Sequence, residues 1–215
     1  MGSVARHVAW HSTTPVLILR ESDQTLSSLL PGHGHSIRAL VALDGTPFTE
    51  AAITPAAEVV AACSTPARGE LQLTRLVLLP SPEDELAYER LGLDINLRQA
   101  ALYQAGQYLQ AVRERLSHEA VVASGVDINW SVEECNDVAE TLIKIAQGKG
   151  IGTHMTSDLI VLTTHGRTGV ERWVRGSATE LVLNSTTLPL LIVHPHKSKP
   201  SFAALTDKSE QLTVS

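Results

Sequence analysis

Residues 158–195 read DLIVLTTHGRTGVERWVRGSATELVLNSTTLPLLIVHP. The apolar run 159–162 ends abruptly, a helical stretch opens at Gly176 and Ser177, and a second apolar run follows at residues 190–193. A short apolar run bounded by turn signals is typical of a buried strand. A helix start carries unpaired N–H groups and the positive end of the helix dipole. The stretch therefore predicts strand, glycine-bearing turn, helix and strand, with backbone amides facing an anion.

Outward from this stretch, strand and helix patterns alternate along the chain. Strands are predicted over residues 37–43, 71–79, 126–132, 159–162 and 190–193, and helices over residues 49–63, 96–118, 137–147 and from 176 onward. This alternation predicts an α/β fold, a five-stranded parallel doubly wound (Rossmann-like) sheet with helices on both faces. In such sheets ligands lie beyond the carboxyl ends of the strands, where the winding direction changes. The turn at Thr163 lies at such an end.

Composition narrows the class of protein. Of 215 residues, 43% are hydrophobic but only 4% are aromatic, so the core is expected to be aliphatic. A net charge of −6 argues against a broad nucleic-acid-binding face. Cys63 and Cys135 have neither metal-site spacing nor a disulfide framework. No apolar run approaches the ~20 residues that span a bilayer, and no secretion signal is visible. We therefore expect a cytoplasmic protein without a membrane partner.

Known catalytic and metal-binding motifs are not found. No Gly-x-Gly-x-x-Gly follows the first strand, no P-loop occurs, and no Gly-x-Ser-x-Gly elbow occurs. Four histidines are spaced as potential metal ligands but lack the acids or cysteines that would complete a site: His33, His35, His194 and His196. We therefore predict no catalytic residues and no metal site formed by side chains. Three arginines are equally consistent with phosphate contact and with a solvated surface: Arg167, Arg172 and Arg175.

An acid, Asp44, follows the first predicted strand directly. A carboxylate placed just past the carboxyl end of a strand can accept hydrogen bonds from ribose hydroxyls or from an adenine amino group. The alternative is that Asp44 only caps the turn before the next helix, as Asp often does. Taken alone, Asp44 leaves both interpretations open.

Together, Asp44 and the glycine-bearing turn resemble the two-part pattern of nucleotide-binding universal stress proteins. In that family the turn reads Gly-x-x-Gly, nine residues, then Gly-Ser or Gly-Thr; here the second and third glycines are Gly166 and Gly176, with Ser177 following. The resemblance covers roughly residues 36–195. Thr163 stands at the first glycine position, which is a departure. Either that position needs a positive φ, which would strain Thr, or it needs only a small extended residue.

The resemblance implies an adenine-nucleotide-binding stress-response or regulatory protein, holding ATP or a related nucleotide, with Mg²⁺. It implies little or no efficient catalysis, although slow ATP hydrolysis stays open. Residues implied at the adenosine end are Ala42, Asp44 and Leu76; along the ribose and phosphates, Leu162, Thr163 and His165; and at the phosphate chain, Gly166, Gly176, Ser177, Ala178 and Thr179. The alternative is a nucleotide-free dimerisation or interaction module of the same fold, toward which Thr163 points.

The first twenty residues repeat the end of the opening stretch. Gly2 and Ser3 align with Gly176 and Ser177, and Pro15 aligns with the proline that precedes the last apolar run, at the same separation. Such self-similarity is typical of repeats. We therefore predict four segments: a remnant helix and strand of a preceding repeat at 1–22, a linker at 23–36, a complete domain at 37–196, and a flexible tail at 197–215.

The last predicted strand, residues 190–193, lies at the margin of the sheet, where an uncovered apolar edge invites pairing. The family resemblance implies dimerisation through this strand. The remnant strand at residues 15–19 is its equivalent, and we predict that the two pair within the chain. The expected assembly is therefore a homodimer or an intrachain pseudo-dimer through the last strand.

Overall fold

The computed structural model describes the main body of the chain, which comprises residues 3–19, 29, 36–64, 66–79, 83, 86–87, 90, 97–117, 125–151, 155–164 and 177–195. Its helices are α1 (Ser3–His11), α2 (Pro47–Glu50), α3 (Ile53–Ser64), α4 (Leu97–Ser117), α5 (Val138–Ala146) and α6 (Ser177–Ser185). Its strands are β1 (Val16–Ile18), β2 (Arg38–Leu43), β3 (Gly69–Leu78), β4 (Val126–Cys135), β5 (Leu159–Thr163) and β6 (Leu190–Val193). No helix in these ranges has both the length and the apolar character needed to cross a membrane.

All six strands form one sheet in the order β1-β6-β5-β2-β3-β4. Strands β2 to β6 are parallel to one another, which confirms the five predicted parallel strands. The sixth strand, β1, is antiparallel to β6, with Val16 opposite Ile192 and Ile18 opposite Leu190. The predicted pairing of the N-terminal strand with the last strand is therefore present. It also moves β6 from the sheet margin, where the five-stranded prediction had placed it, to an inner position.

Helices cover both faces of the sheet. One apolar cluster joins Val41 and Leu73 of the sheet to α3 and α4, for example through Leu109. The other joins Leu40 and its neighbours to α5 and α6. Because successive strand residues point to opposite faces, one strand supplies both clusters. From β2 the chain adds β3 and then β4 on one side, and it then returns to the other side of β2 to add β5 and β6. Strands β2 and β5 therefore lie side by side, while the connections that follow them lead in opposite directions. Their carboxyl ends mark the switch point of the fold.

The single helix predicted over residues 49–63 is wrong in one respect, because the structure divides it into α2 and α3 with a turn at residues 51–52. The reason is Pro55, which has no N–H to donate to the carbonyl four residues earlier. A proline is tolerated in the first turn of a helix, where that N–H is unpaired anyway. The helix therefore restarts at Ile53.

The strand predicted over residues 126–132 continues to Cys135, which pairs with Leu78. Two adjacent glutamates, a residue type depleted in strands, obscured this extension in the sequence. Both are satisfied in the structure: Glu133 is buried and accepts a hydrogen bond of 2.9 Å from the backbone N–H of Ile151, and Glu134 pairs with Arg98.

The remaining helices and strands begin and end within about two residues of the predicted bounds, which is the usual uncertainty of helix and strand ends. Asp137, predicted as an N-cap or first-turn acid, is the N-cap of α5, and its Oδ1 accepts a 2.7 Å hydrogen bond from the backbone N–H of Glu140. The predicted tail at 197–215 and most of the predicted linker lie outside the described residues.

Candidate functional site

A cleft opens at the switch point, beyond the carboxyl ends of β2 and β5. Its walls come from both strands, from β3, and from the two helices α5 and α6 that cover this face. The described lining residues are Ala42, Leu43, Asp44, Thr49, Leu76, Val138, Leu142, Leu162, Thr163, Ala178 and Thr179. This is the position at which open α/β sheets bind ligands.

Seven of the predicted site residues meet in this cleft: Ala42, Asp44, Leu76, Leu162, Thr163, Ala178 and Thr179. They come from four different segments of the chain, and the fold brings these segments together around the cleft. His165, Gly166 and Gly176 lie outside the described residues, as do the arginines of the opening stretch. Ser177 is the first residue of α6, as predicted, but its side chain also lies outside the description.

Four lining residues were missed by the sequence analysis: Leu43, Thr49, Val138 and Leu142. Val138 and Leu142 lie one turn apart on α5, and this spacing indicated an apolar face. The spacing alone does not show which face of the sheet α5 covers. The strand order does, because a right-handed connection from β4 back across the sheet to β5 must pass over the face opposite α3 and α4.

The carboxylate of Asp44 is held by the turn that follows β2. Its Oδ1 accepts three hydrogen bonds, from the backbone N–H of Thr46 at 2.8 Å and from the hydroxyls of Thr46 and Thr49 at 2.6 and 2.7 Å. Asp44 therefore does cap the turn, which was one of the two interpretations. Its other oxygen, Oδ2, makes no hydrogen bond with a described residue. The two roles proposed for Asp44 thus fall on different oxygens and do not exclude each other.

Thr163, at the first glycine position of the family pattern, is the last residue of β5 and lies opposite Val193 of β6. A residue in a parallel strand has an extended backbone with negative φ, which Thr adopts without strain. The side chain is buried. In this chain the position therefore takes an extended residue, the second of the two alternatives raised by the sequence.

The cleft has an apolar side and an anion-facing side. Leu76, Leu142 and Leu162 are buried in the cluster that covers this face of the sheet. Opposite them, Ala178 and Thr179 belong to the first turn of α6, where backbone N–H groups have no partner within the helix. An apolar wall facing a helix N-terminus suits a ligand with a flat apolar part and a negative end.

The enclosed part of the cleft is small. Its cavity has about 50 Å³, or about 520 Å³ with the open mouth included, whereas small-molecule sites usually have roughly 300–1,000 Å³. A purine base therefore fits only if the buried leucine side chains of the lining move apart. Rotamer changes of the lining side chains alter the volume of the cleft and leave its donors and acceptors in place.

Comparison with known proteins places this geometry in a family. The chain matches the family model of the universal stress protein family over residues 37–194. The chain belongs to the universal stress protein family. Among curated proteins, by contrast, none matches the chain.

Two solved structures share the fold of this universal stress protein, and a third is reported for its similarity alone. The universal stress protein from Archaeoglobus fulgidus DSM 4304 is 19% identical with a TM-score of 0.54, and the alignment covers 90% of this chain and 55% of that one. The hypothetical protein MJ0577 is 20% identical with a TM-score of 0.52, covering 75% and 97% of the two chains. A universal stress protein in complex with cAMP is 19% identical with a TM-score of 0.43, covering 74% and 98%.

In this universal stress protein, one imidazole joins the N-terminal segment to the edge of the cleft. His194, just after β6, contacts the backbone carbonyl of Ala9 through Nε2 at 2.8 Å and the Thr164 hydroxyl through Nδ1 at 2.5 Å. A carbonyl can only accept, so a neutral ring carries its proton on Nε2 and accepts from Thr164 at Nδ1. Helix α1 is thereby tied to the residue next to Thr163.

The thiol nearest to this region is not an activated nucleophile. Cys135 ends β4 and is buried, and this burial, together with the charge of Asp137, raises the pKa of its thiol to about 11. A thiol with that pKa is protonated at neutral pH. Within the described residues there is also no group of three or more His, Cys, Asp or Glu that could hold a metal ion.

Proposed function

We propose that this universal stress protein binds an adenine nucleotide, ATP with Mg²⁺ in the first place, in the cleft between β2 and β5. The observation that carries the proposal is the meeting of three features at one switch point: the unpaired Oδ2 of Asp44, a leucine wall and the first turn of α6. Family membership and the Gly166-to-Ser177 spacing support it.

Each part of the nucleotide has a complementary part of the cleft. Asp44 Oδ2 accepts hydrogen bonds from ribose hydroxyls, with the backbone of Ala42 beside it, and the base lies against Leu76 and Leu162. The phosphates extend toward the amides of Ala178 and Thr179, with His165, Gly166, Gly176 and Ser177 completing the anion-binding turn. Mg²⁺ would be held chiefly by phosphate oxygens and water, which is its usual mode of binding with nucleotides.

The nucleotide acts as a regulatory ligand in this proposal, in a protein of the stress-response type. Asp44 is the titratable side chain of the described lining; its Oδ1 is fixed by three donors of the turn and its Oδ2 would be engaged by the ribose hydroxyls, so it is not poised as a general base. Efficient hydrolysis is not expected, and any turnover is slow. Because the enclosed cavity is small, binding must widen the rim, and a ligand that prefers the widened form shifts the conformation of the protein.

Mass spectrometry of nucleotide carried through purification, followed by calorimetric titration with ATP and Mg²⁺, tests the proposal. The wild type should bind one nucleotide per chain, and Asp44→Ala and Gly176→Val should bind it more weakly. Asp127→Ala serves as a matched control, because this acid is exposed and pairs with Arg68 away from the cleft. Absence of binding by the wild type, or equal affinity in all four proteins, would sink the proposal.

A second candidate is a nucleotide-free interaction module of the same fold. Thr163, which replaces the first glycine of the family pattern, favours it.

The assembly of the chain is a separate question, because β1 already occupies the outer edge of β6. We propose that β1 takes the place of a second copy's strand, so that the chain forms an intrachain pseudo-dimer and not a homodimer. Deleting residues 1–22 should then expose β6 and promote self-association, measured by size-exclusion chromatography. Unchanged elution and melting would contradict this.

A further inference from the structure

A second cavity lies behind the nucleotide cleft, on the opposite face of the sheet. It has about 370 Å³ and lies between the end of β3 and helix α4, so its size falls in the roughly 300–1,000 Å³ range of small-molecule sites. Arg75 points into it from β3, on the face shared by Leu71 and Leu73, and Gln104 and Tyr108 face it from α4. Neighbouring Leu76 points the other way, toward the cleft.

The guanidinium of Arg75 is incompletely satisfied. Its Nη1 is buried and has no hydrogen-bond partner among the described residues. The group lies over the ring of Tyr108, with 5.5 Å from Cζ to the ring centroid. A cation–π contact of this kind orients the guanidinium but provides no acceptor for its N–H groups. Because Nη1 itself is covered by the protein, it is the remaining, partly exposed part of the guanidinium that faces the cavity.

The neighbouring carboxylates are already engaged by other donors. Glu50 accepts a 2.9 Å hydrogen bond from the Tyr108 hydroxyl and also pairs with Arg115. Asp44 Oδ1 is held by its own turn on the other side. No carboxylate of a described residue lies within salt-bridge distance of Arg75, whereas four other arginines are paired: Arg38, Arg68, Arg98 and Arg115.

The turn after β2 leaves room for this guanidinium. Gly45 has φ of +90°, and a Cβ built on it would lie 2.4 Å from Arg75 Nη1. Only glycine combines this backbone conformation with so close an approach. The cavity therefore has a fixed wall on one side, the stacked Tyr108 on another, and a cationic donor held between them.

We propose that this cavity is a second ligand site, which binds the oxyanion of a small molecule, a carboxylate or a phosphate group, with Arg75 as its principal contact. The fork of a guanidinium matches both anions. Gln104 supplies a further polar group, and Ala101, Ala105 and Val77 leave space for an apolar body beside the anion. The inference does not rest on the nucleotide proposal, because the two sites lie on opposite faces of β3.

Calorimetric titration of the full chain with benzoate and, separately, with inorganic phosphate tests the second site. The wild type should bind at least one of them saturably, one per chain. Tighter binding of benzoate would assign a carboxylate with an apolar body, and tighter binding of phosphate would assign a phosphate group. Arg75→Met should lower the affinity at least about tenfold, because the loss of a hydrogen bond to a charged group usually weakens binding roughly 10- to 100-fold. Arg113→Met, which changes an exposed arginine of α4 outside the cavity lining, should not.

Two further variants separate this site from the cleft and from a folding defect. Asp44→Asn should retain the oxyanion affinity even if it loses nucleotide binding, so the two proposals can fail independently. Arg75→Lys keeps the charge without the fork and should bind with intermediate affinity. Binding of neither anion by the wild type, or equal affinity in Arg75→Met and Arg113→Met, would overturn the proposal.

Discussion

Among single residues, Asp44 has the most specific role, because its two carboxylate oxygens have different surroundings. Oδ1 is occupied by the donors of the turn, and Oδ2 makes no hydrogen bond with a described residue. The sequence presented turn capping and ligand binding as alternatives; the structure shows the capping by Oδ1, and the proposed ligand contact would use Oδ2. A substitution that preserves the first oxygen and changes only the second can therefore separate stability from binding.

Asp44→Asn is that substitution. The amide oxygen can replace Oδ1 in the turn, while the NH₂ group replaces Oδ2 and can no longer accept from a ribose hydroxyl. We expect the affinity for ATP to fall roughly 10- to 100-fold, with a change in the free energy of unfolding below about 1 kcal/mol. Calorimetry and urea denaturation measure the two quantities, with Asp127→Asn as the control. Equal losses of affinity in both variants would contradict the assignment.

Because both thiols are at least partly buried, we expect their reactivity and their contribution to stability to depend on pH. The pKa of Cys135 is raised to about 11, chiefly by burial, and the pKa of the less buried Cys63 is also raised. A raised pKa means that the folded state favours the protonated thiol. Its contribution to stability is therefore full below the unfolded pKa of ~8.5 and is lost as the pH rises toward 11. At pH 8, iodoacetamide should modify Cys135 more slowly than Cys63, measured by peptide mass spectrometry. Equal rates in the folded protein would refute this prediction.

Among helices and strands, local sequence patterns predicted most of the elements. They failed where a residue type that is rare in strands is stabilised by a partner from a distant segment. The spacing of apolar residues predicted β2, α4, β5 and β6 closely. The two glutamates near the end of β4 made its last residues look unlike a strand in the sequence. The groups that satisfy them, the amide of Ile151 and the side chain of Arg98, come from other segments. Pro55 marks the helix break in the sequence, within an otherwise helical, alanine-rich run.

Two glycines should respond in opposite directions to the same substitution. Gly69 opens β3 against α3, and a Cβ there would lie 2.2 Å from Cγ1 of Val60 and 2.7 Å from Oγ of Ser64. Gly69→Ala should therefore lower the free energy of unfolding by about 1–3 kcal/mol. Gly106 is inside α4 with Trp130 no closer than 4.0 Å, so Gly106→Ala should raise it by about 0.5–1 kcal/mol. Urea denaturation checks both, and the same sign for both would count against the described packing.

At the scale of the whole molecule, the sequence predicted the fold class, the family and the pairing of the N-terminal strand with β6. It did not predict the side of the sheet covered by α5, and so it missed Val138 and Leu142 in the cleft. It also gave no hint of the cavity at Arg75. In the sequence this arginine only interrupts an apolar run. Its contacts with Gly45 and Tyr108, which define the cavity, form only in the folded chain.

The β1–β6 register predicts a disulfide that reports on assembly. Leu17 lies opposite Leu191, and opposed residues of antiparallel strands are close enough for a disulfide. With the native cysteines replaced by alanine, Leu17→Cys combined with Leu191→Cys should form an intrachain bond under mild oxidation. Non-reducing electrophoresis should then show a monomer. Leu17→Cys combined with Ile192→Cys is the out-of-register control, because those side chains point to opposite faces. A covalent dimer would show that the strand pairs with a second copy instead.

The central claim is that an adenine nucleotide binds between β2 and β5. Methyl NMR of the full chain during titration with ATP and Mg²⁺ tests it most directly, because methyl groups of three different elements surround the proposed base: Leu76, Leu142 and Leu162. The account predicts saturable shifts of these methyls, with those of Leu116 at the far end of α4 unchanged. Unshifted cleft methyls at saturating ATP, or shifts confined to another face of the protein, would contradict it.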